Sequence, residues 1–248
     1  MTGSGSSRER SSTSQHTIAG TVLTMPVRIR RANQHMAMFS VDADAAQRMI
    51  DYSGLQVCRY LPGRAVVALI LAHFMDGDLS GYHELSTGVM VNQTGVKASR
   101  ASALRSVFIH HMLVDQAFTM EAGRTIWGFP KVMADFTIRD VGQFGFDASI
   151  DGQLVAGMEF SRGLAVPFAD TSRKQVLRSY SHRDGQTLET SFEMSMVGAR
   201  YRPGGVRLWL GEHPYAKELA SLGLPKRALL SASVDNVEMT FGDAKEIA

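Results

Sequence analysis

After Lys131 the sequence is cut into short alternating runs by Asp-Gly turns, and that punctuation constrains the fold more than any other feature. Residues 134–139, 143–150 and 154–160 read as strands, separated by Asp140-Val141-Gly142 and Asp151-Gly152. A further hairpin carries Asp184-Gly185 at its tip. Asp-Gly pairs supply the positive φ angles that two-residue hairpin turns need, so they join antiparallel neighbours. Upstream, Val27-Arg28-Ile29-Arg30 alternates as a strand, and three strand-like runs lie between Leu55 and Val91, broken by Pro62-Gly63 and Asp76-Gly77-Asp78. The middle run, Ala65 to Phe74, is apolar on both faces and belongs at the centre of a sheet. Helices are few. Asp42 caps one through Ile50 with Gly54 behind it, another spans Phe118 to Ile126, and a third runs from Pro214 to Ser221 before Gly223. Leu229 to Met239 reads as the last strand. With no β-α-β rhythm and no internal repeat, the chain predicts an α+β, mostly β, antiparallel architecture.

A 248-residue chain that is 44% hydrophobic can bury one good core. Residues 1 to about 18 are serine-rich and nearly without apolar side chains, which predicts a disordered tail ahead of a single domain over 19–248. A formal net charge of +2 favours neither nucleic acid nor membrane as a partner. The longest apolar run, Ala65 to Ala72, is too short to span a bilayer, and the polar first sixteen residues carry no secretory pattern. A cytoplasmic enzyme is expected. The single cysteine, Cys58, excludes an internal disulfide and reads as a packing residue.

The chemistry concentrates in Gly123-Arg124-Thr125-Ile126-Trp127-Gly128-Phe129-Pro130-Lys131. It ends in a lysine behind a rigid aromatic run, with Val132 and Met133 following. Desolvation there disfavours the ammonium form and leaves a neutral amine able to attack ketones. A second candidate is Glu84. If Tyr82, Glu84 and Ser86 share one strand face, that face offers a carboxylate between two hydroxyls. Arg124 suits either a substrate carboxylate or a tie to a neighbouring strand.

The Gly-Arg to aromatic-Pro-Lys segment resembles the signature of the acetoacetate decarboxylase family. Phe108 to Asp115, Gly81-Tyr82-His83-Glu84 and Asp42-Ala43-Asp44-Ala45 resemble its upstream elements. Leu210-Gly211-Glu212-His213-Pro214 and Ser221-Leu222-Gly223-Leu224-Pro225 resemble its C-terminal region, so the likeness runs from about residue 26 onward. It implies a closed, cone-like antiparallel β-barrel with a few short helices, a homo-oligomer, and a lyase that forms a Schiff base on Lys131 with a small keto acid. On that reading Glu84 relays protons, and Arg124, Tyr82, Arg31, Trp127 and Phe129 contact substrate. No cofactor or metal is implied beyond the covalent imine. Two positions depart from the family. Val132 stands where the best-known decarboxylases carry a second lysine, and Ala32 stands where they carry an arginine, with Arg31 beside it. These departures shift weight toward aldolase-dehydratase chemistry, or toward a non-catalytic relative that binds a small ligand.

Other features read as structural. Adjacent His110 and His111 should point to opposite faces of a strand and so not share an ion, and His73 and His83 belong to no ligand motif. Asp76-Gly77-Asp78 reads as a turn because Thr87 occupies the twelfth position that a calcium loop gives to glutamate. Pro203-Gly204-Gly205 also reads as a turn. The basic stretch Thr94 to Arg105 reads as a loop or one helical turn, and Met120, Met133 and Met158 are candidates to keep a pocket apolar.

Overall fold

The computed structural model describes residues 13–95, 105–161, 166–167 and 171–247. The first strands are β1 (Gln15–Ile18), β2 (Thr21–Thr24), β3 (Val27–Asp42), β4 (Arg64–Gly77), β5 (Tyr82–Met90) and β6 (Ser106–Val114). Helix α1 (Ala43–Ile50) lies between β3 and β4, and α2 (Ala117–Trp127) follows β6. Next come β7 (Lys131–Met133), β8 (Asp135–Arg139), β9 (Gly145–Ile150), β10 (Gln153–Phe160), β11 (Val166–Pro167), β12 (Thr171–Arg183) and β13 (Gln186–Val197). The chain ends with β14 (Arg200–Pro203), β15 (Val206–Leu210), α3 (Pro214–Ser221) and β16 (Leu230–Glu246).

Seven of these strands close into a barrel in the order β16-β13-β12-β6-β5-β4-β3, with β3 pairing back onto β16. A ring with an odd number of strands cannot alternate direction all the way round. One parallel seam is therefore required, and it falls between β12 and β6. The expected antiparallel barrel is thus mixed in a minor way, with β7 also parallel to β6. A second sheet, β15-β10-β9-β8, packs with α1 and α3 outside the barrel around Phe39, Leu69, Phe108, Phe146 and Met158. The barrel interior holds a separate apolar cluster that includes Ala32, Phe74, Tyr82, Met112 and Trp127. Both faces of β4 are buried for this reason.

The Asp-Gly turns fall where the sequence puts them. Asp184 and Gly185 join β12 to β13 with φ of 53° and 77°, the signature of a type I′ hairpin. The side chain of Asp42 accepts the Ala45 N–H and caps α1.

Two expectations change. The tail does not extend through residue 18, because β1 and β2 form a hairpin whose Ile18 and Leu23 are buried in the interior cluster. Two well-spaced apolar residues and a hydrogen bond between His16 and Asp243 at 2.7 Å anchor a segment whose composition alone looks unfoldable. Residues 1–12 lie outside the described residues. Of the three runs between Leu55 and Val91, the first is no strand, since it makes only the isolated bridges Val57 to Val91 and Leu61 to Arg64. Most of the basic stretch expected as a loop or one helical turn, residues 96–104, lies outside the described residues. The turn expected over Asp76-Gly77-Asp78 falls one step later, since Asp76 and Gly77 end β4 and Asp78 and Leu79 turn, while both carboxylates pair with Arg30 at 2.7 Å each.

Candidate active site

Helix α2 delivers the lysine. Its last turn closes on Gly128, whose φ of 64° lets its N–H cap the carbonyls of Gly123 and Arg124. The chain then reverses through Phe129-Pro130, and Lys131 opens β7 opposite Met112 of β6. Arg124 Nε donates to the Lys131 carbonyl at 2.6 Å, so the loop is tied across its own base. Gly123 is required by contact rather than by conformation. A Cβ at this position would lie 2.5 Å from Lys131 Cδ and 2.6 Å from Cε. The lysine stem therefore runs directly over bare helix backbone.

The amine ends in a small polar cluster. Lys131 is only 2% exposed, and its Nζ lies 2.9 Å from Glu84 Oε2 and donates to Thr119 Oγ1 at 2.9 Å. It also stands 5.0 Å from the centre of the Tyr82 ring. Ser86 donates to the other Glu84 oxygen at 3.3 Å. A buried ion pair persists only when further hydrogen bonds satisfy its remaining atoms, and Thr119 and Ser86 supply them. Burial, reinforced by the nearby Glu84 carboxylate, holds the Tyr82 phenol well above its usual pKa, so it stays protonated. Lys131, Glu84, Ser86 and Tyr82 of this cluster line a cavity of about 450 Å³ inside the barrel. Apolar side chains, including Met36, Met38, Ile70, Met90, Met194 and Leu230, line most of the rest, joined by Gln34, Arg105, Gln175 and Arg178. A proton passed from Nζ to Oε2 leaves a free amine facing this cavity and an acid beside it, which is the pair that carbonyl addition needs.

Five of the residues singled out in the sequence converge here: Lys131, Glu84, Tyr82, Trp127 and Phe129 all line the cavity. Trp127 also donates from Nε1 to the Gly242 carbonyl at 2.8 Å, fixing α2 to β16. Arg124 and Arg31 do not join them. Arg124 is exposed and serves the Lys131 backbone. Arg31 is exposed at an irregularity in the β3–β4 register, while Ala32 is buried in the barrel interior. Val132 packs against the outer cluster, as alternation from Lys131 dictates. Met120, Met133 and Met158 lie off the cavity, Met133 exposed and Met158 in the outer core. Thr119 was not singled out in the sequence. The signal for it is its spacing from Gly123, because positions i and i+4 of a helix share a face.

The alternation argument for His110 and His111 fails. The β5–β6 register slips between Thr87 opposite His111 and Gly88 opposite Ile109, leaving His110 as the extra residue of a bulge. Both imidazoles emerge on the outer face, with ring centres 4.2 Å apart, and both reach Glu218 of α3.

Comparison with known proteins agrees with this architecture. No protein of curated function matches the sequence. The fold is similar to acetoacetate decarboxylase from Legionella pneumophila, at 18% identity and a TM-score of 0.65, covering 90% of this chain and 87% of that one. It is similar also to the enduracididine biosynthesis enzyme MppR complexed with the condensation product of pyruvate and imidazole 4-carboxaldehyde, at 16% identity, a TM-score of 0.65 and 90% of each chain. An acetoacetate decarboxylase-like enzyme from Sphingomonas wittichii RW1 matches at 12% identity and a TM-score of 0.56, over 90% of this chain and 93% of that one. Among the described residues no helix is long and apolar enough to cross a membrane. The family model for acetoacetate decarboxylase matches residues 13–245, nearly the whole sequence, and the chain belongs to the acetoacetate decarboxylase family.

Proposed function

We propose that the protein is a Schiff-base lyase that binds a keto acid covalently through Lys131. The observation that carries this reading is the buried Lys131–Glu84–Thr119 cluster against a largely apolar cavity. Lys131 Nζ attacks the ketone carbon while Glu84 returns a proton to the oxygen, giving a carbinolamine. Loss of water, assisted by the same carboxyl group, leaves an iminium. That cation draws in the electrons of the bond broken next to it, releasing carbon dioxide or an aldol fragment, and the enamine is then protonated and hydrolysed. Tyr82, held neutral, is a hydrogen-bond donor for the departing oxygen. Beyond the imine the scheme uses no cofactor. The enzyme is expected to work in the cytoplasm as a homo-oligomer.

Within this class the aldol-dehydration branch is favoured over decarboxylation of acetoacetate. Neither Arg31 nor Arg124 lines the cavity and Val132 packs in the outer cluster, so among the described residues the cations offered to a substrate carboxylate besides Lys131 are Arg105 and Arg178, the latter already paired with Glu189 at 3.0 Å. MppR, whose bound ligand is a condensation product of pyruvate and an aldehyde, is a fold relative in keeping with that branch. The test is borohydride reduction with acetoacetate, acetopyruvate, pyruvate and longer keto acids, followed by mass spectrometry. A substrate-sized mass gain on the peptide holding Lys131, absent in Lys131→Ala, is expected. No adduct with any member of the panel would leave the family's non-catalytic, ligand-binding reading.

A further inference from the structure

We infer that His110, His111 and Glu218 form a site for one divalent transition-metal ion of the zinc type, on the outer face of the barrel and independent of the lysine. One ligand atom from each residue lies within 4.8 Å of the others. Three atoms about 2.1 Å from a tetrahedral ion stand roughly 3.4 Å apart, so side-chain shifts of under about an ångström would seat one. The bulge at His110 is what makes this possible, because a regular strand would send one imidazole into the barrel.

Hydrogen bonding alone does not account for the arrangement. His111 Nε2 bonds Glu218 Oε2. His110 Nε2 lies 3.0 Å from Glu218 Oε1, yet it is buried and makes no aligned hydrogen bond. His110, 7% exposed, thus sets an imidazole nitrogen 3.0 Å from a carboxylate oxygen but out of hydrogen-bond alignment with it. A cation between them satisfies both groups. The remaining nitrogen of His110, Nδ1, stands 3.0 Å from the Tyr52 hydroxyl, the kind of outer partner that orients a metal-bound histidine. His111 is held instead by stacking on Tyr215, with ring centres 3.6 Å apart. Glu218 is about one-third exposed, which leaves a way in for the ion and room for a water in the fourth position. Two imidazoles and one carboxylate suit zinc and its neighbours in the first transition row better than magnesium or calcium. Such an ion would clamp α3 to β6, the strand that also carries Met112 opposite Lys131.

The test is calorimetric titration of the full-length, tag-free protein with Zn²⁺, with Co²⁺ as a spectroscopic probe. One Zn²⁺ site per chain and Co²⁺ d–d bands of a four-coordinate nitrogen–oxygen site are expected. Glu218→Gln keeps the size of the side chain and is expected to weaken Zn²⁺ binding more than tenfold. Tyr52→Phe leaves all three ligands and is expected to weaken it about tenfold, which a casual pair of surface histidines would not show. A native protein without a stoichiometric site overturns the inference. So does a site whose affinity is unchanged in both variants.

Discussion

Gly123→Ala separates the packing of the lysine from the stability of the helix that carries it. The added methyl would lie 2.5 Å from Lys131 Cδ, 2.6 Å from Cε and 3.3 Å from Cγ. Carbon atoms rest about 3.5–4.0 Å apart, so the stem must move by about 1 Å. Its end is pinned at 2.9 Å by both Glu84 and Thr119, and the shift breaks at least one of these contacts. A displacement of about an ångström at a reacting centre costs roughly a hundredfold in rate, or about 2.7 kcal/mol. Folding responds differently. Alanine is better than glycine inside a helix by about 0.8–1 kcal/mol, while overpacking costs about 1–3 kcal/mol, so the net loss is about 0–2 kcal/mol. For a chain of this length that is a melting temperature lower by a few degrees. The assay is the rate of borohydride-trapped imine formation with the best keto acid of the panel, measured beside a thermal melt. Trapping at the native rate would show that the lysine does not rest on Gly123. A variant that loses rate only by unfolding would refute the claim that the effect is local.

Thr119→Val keeps the shape but removes the acceptor for Nζ, and is expected to slow imine trapping by about tenfold, with Thr119→Ser restoring most of it. Val132→Lys places an ammonium against the outer apolar cluster, so we expect about 1–3 kcal/mol of destabilisation and little change in trapping rate. A hundredfold acceleration would show that the second lysine acts on the first in spite of facing away. His35, buried against Phe144 with Arg202 adding repulsion, has its pKa lowered to about 4, so it stays neutral in the fold while the unfolded chain protonates it near 6.5. Its contribution is therefore fully present above about 6.5 and is lost as pH falls toward 4, at most about 3 kcal/mol, with His73 and His111 acting in the same sense. His35→Phe should flatten the stability profile between those values, and an unchanged slope in chemical denaturation would refute the assignment.

Local chemistry was readable in the sequence wherever one short segment sufficed. The Asp-Gly hairpins, the Asp42 cap and the Gly-Arg to Pro-Lys loop each act through residues within about ten positions of one another. Glu84 and Tyr82 were found because they share a strand face, and alternation there is regular. Alternation misled at the β6 bulge. That bulge turned His110 to the side of His111, whereas Arg31 outside and Ala32 inside face opposite ways as strand neighbours do. Such bulges come from strand coiling around a closed barrel, which no single strand's pattern encodes. The early hairpin was missed because composition speaks against order while two residues, Ile18 and Leu23, find a core elsewhere in the chain.

The odd strand count also explains why the lysine can enter the barrel at all. At the parallel seam β12 covers only Ser106, Val107 and Phe108 of β6. The far end of β6, Met112 to Val114, is left without that neighbour, and the three residues of β7 take the vacant edge. Lys131 is the first of them, opposite Met112, and the alternation of so short a strand sends its side chain inward and Val132 outward. Glu84 reaches the same point from across β6, since it pairs with Val114. An even-stranded antiparallel barrel would have no such seam and would need a full strand at that edge. The seam that topology forces on the ring is thus also the slot that holds a loop-borne lysine in the wall of a largely apolar cavity, 2.9 Å from the carboxylate that can exchange its proton.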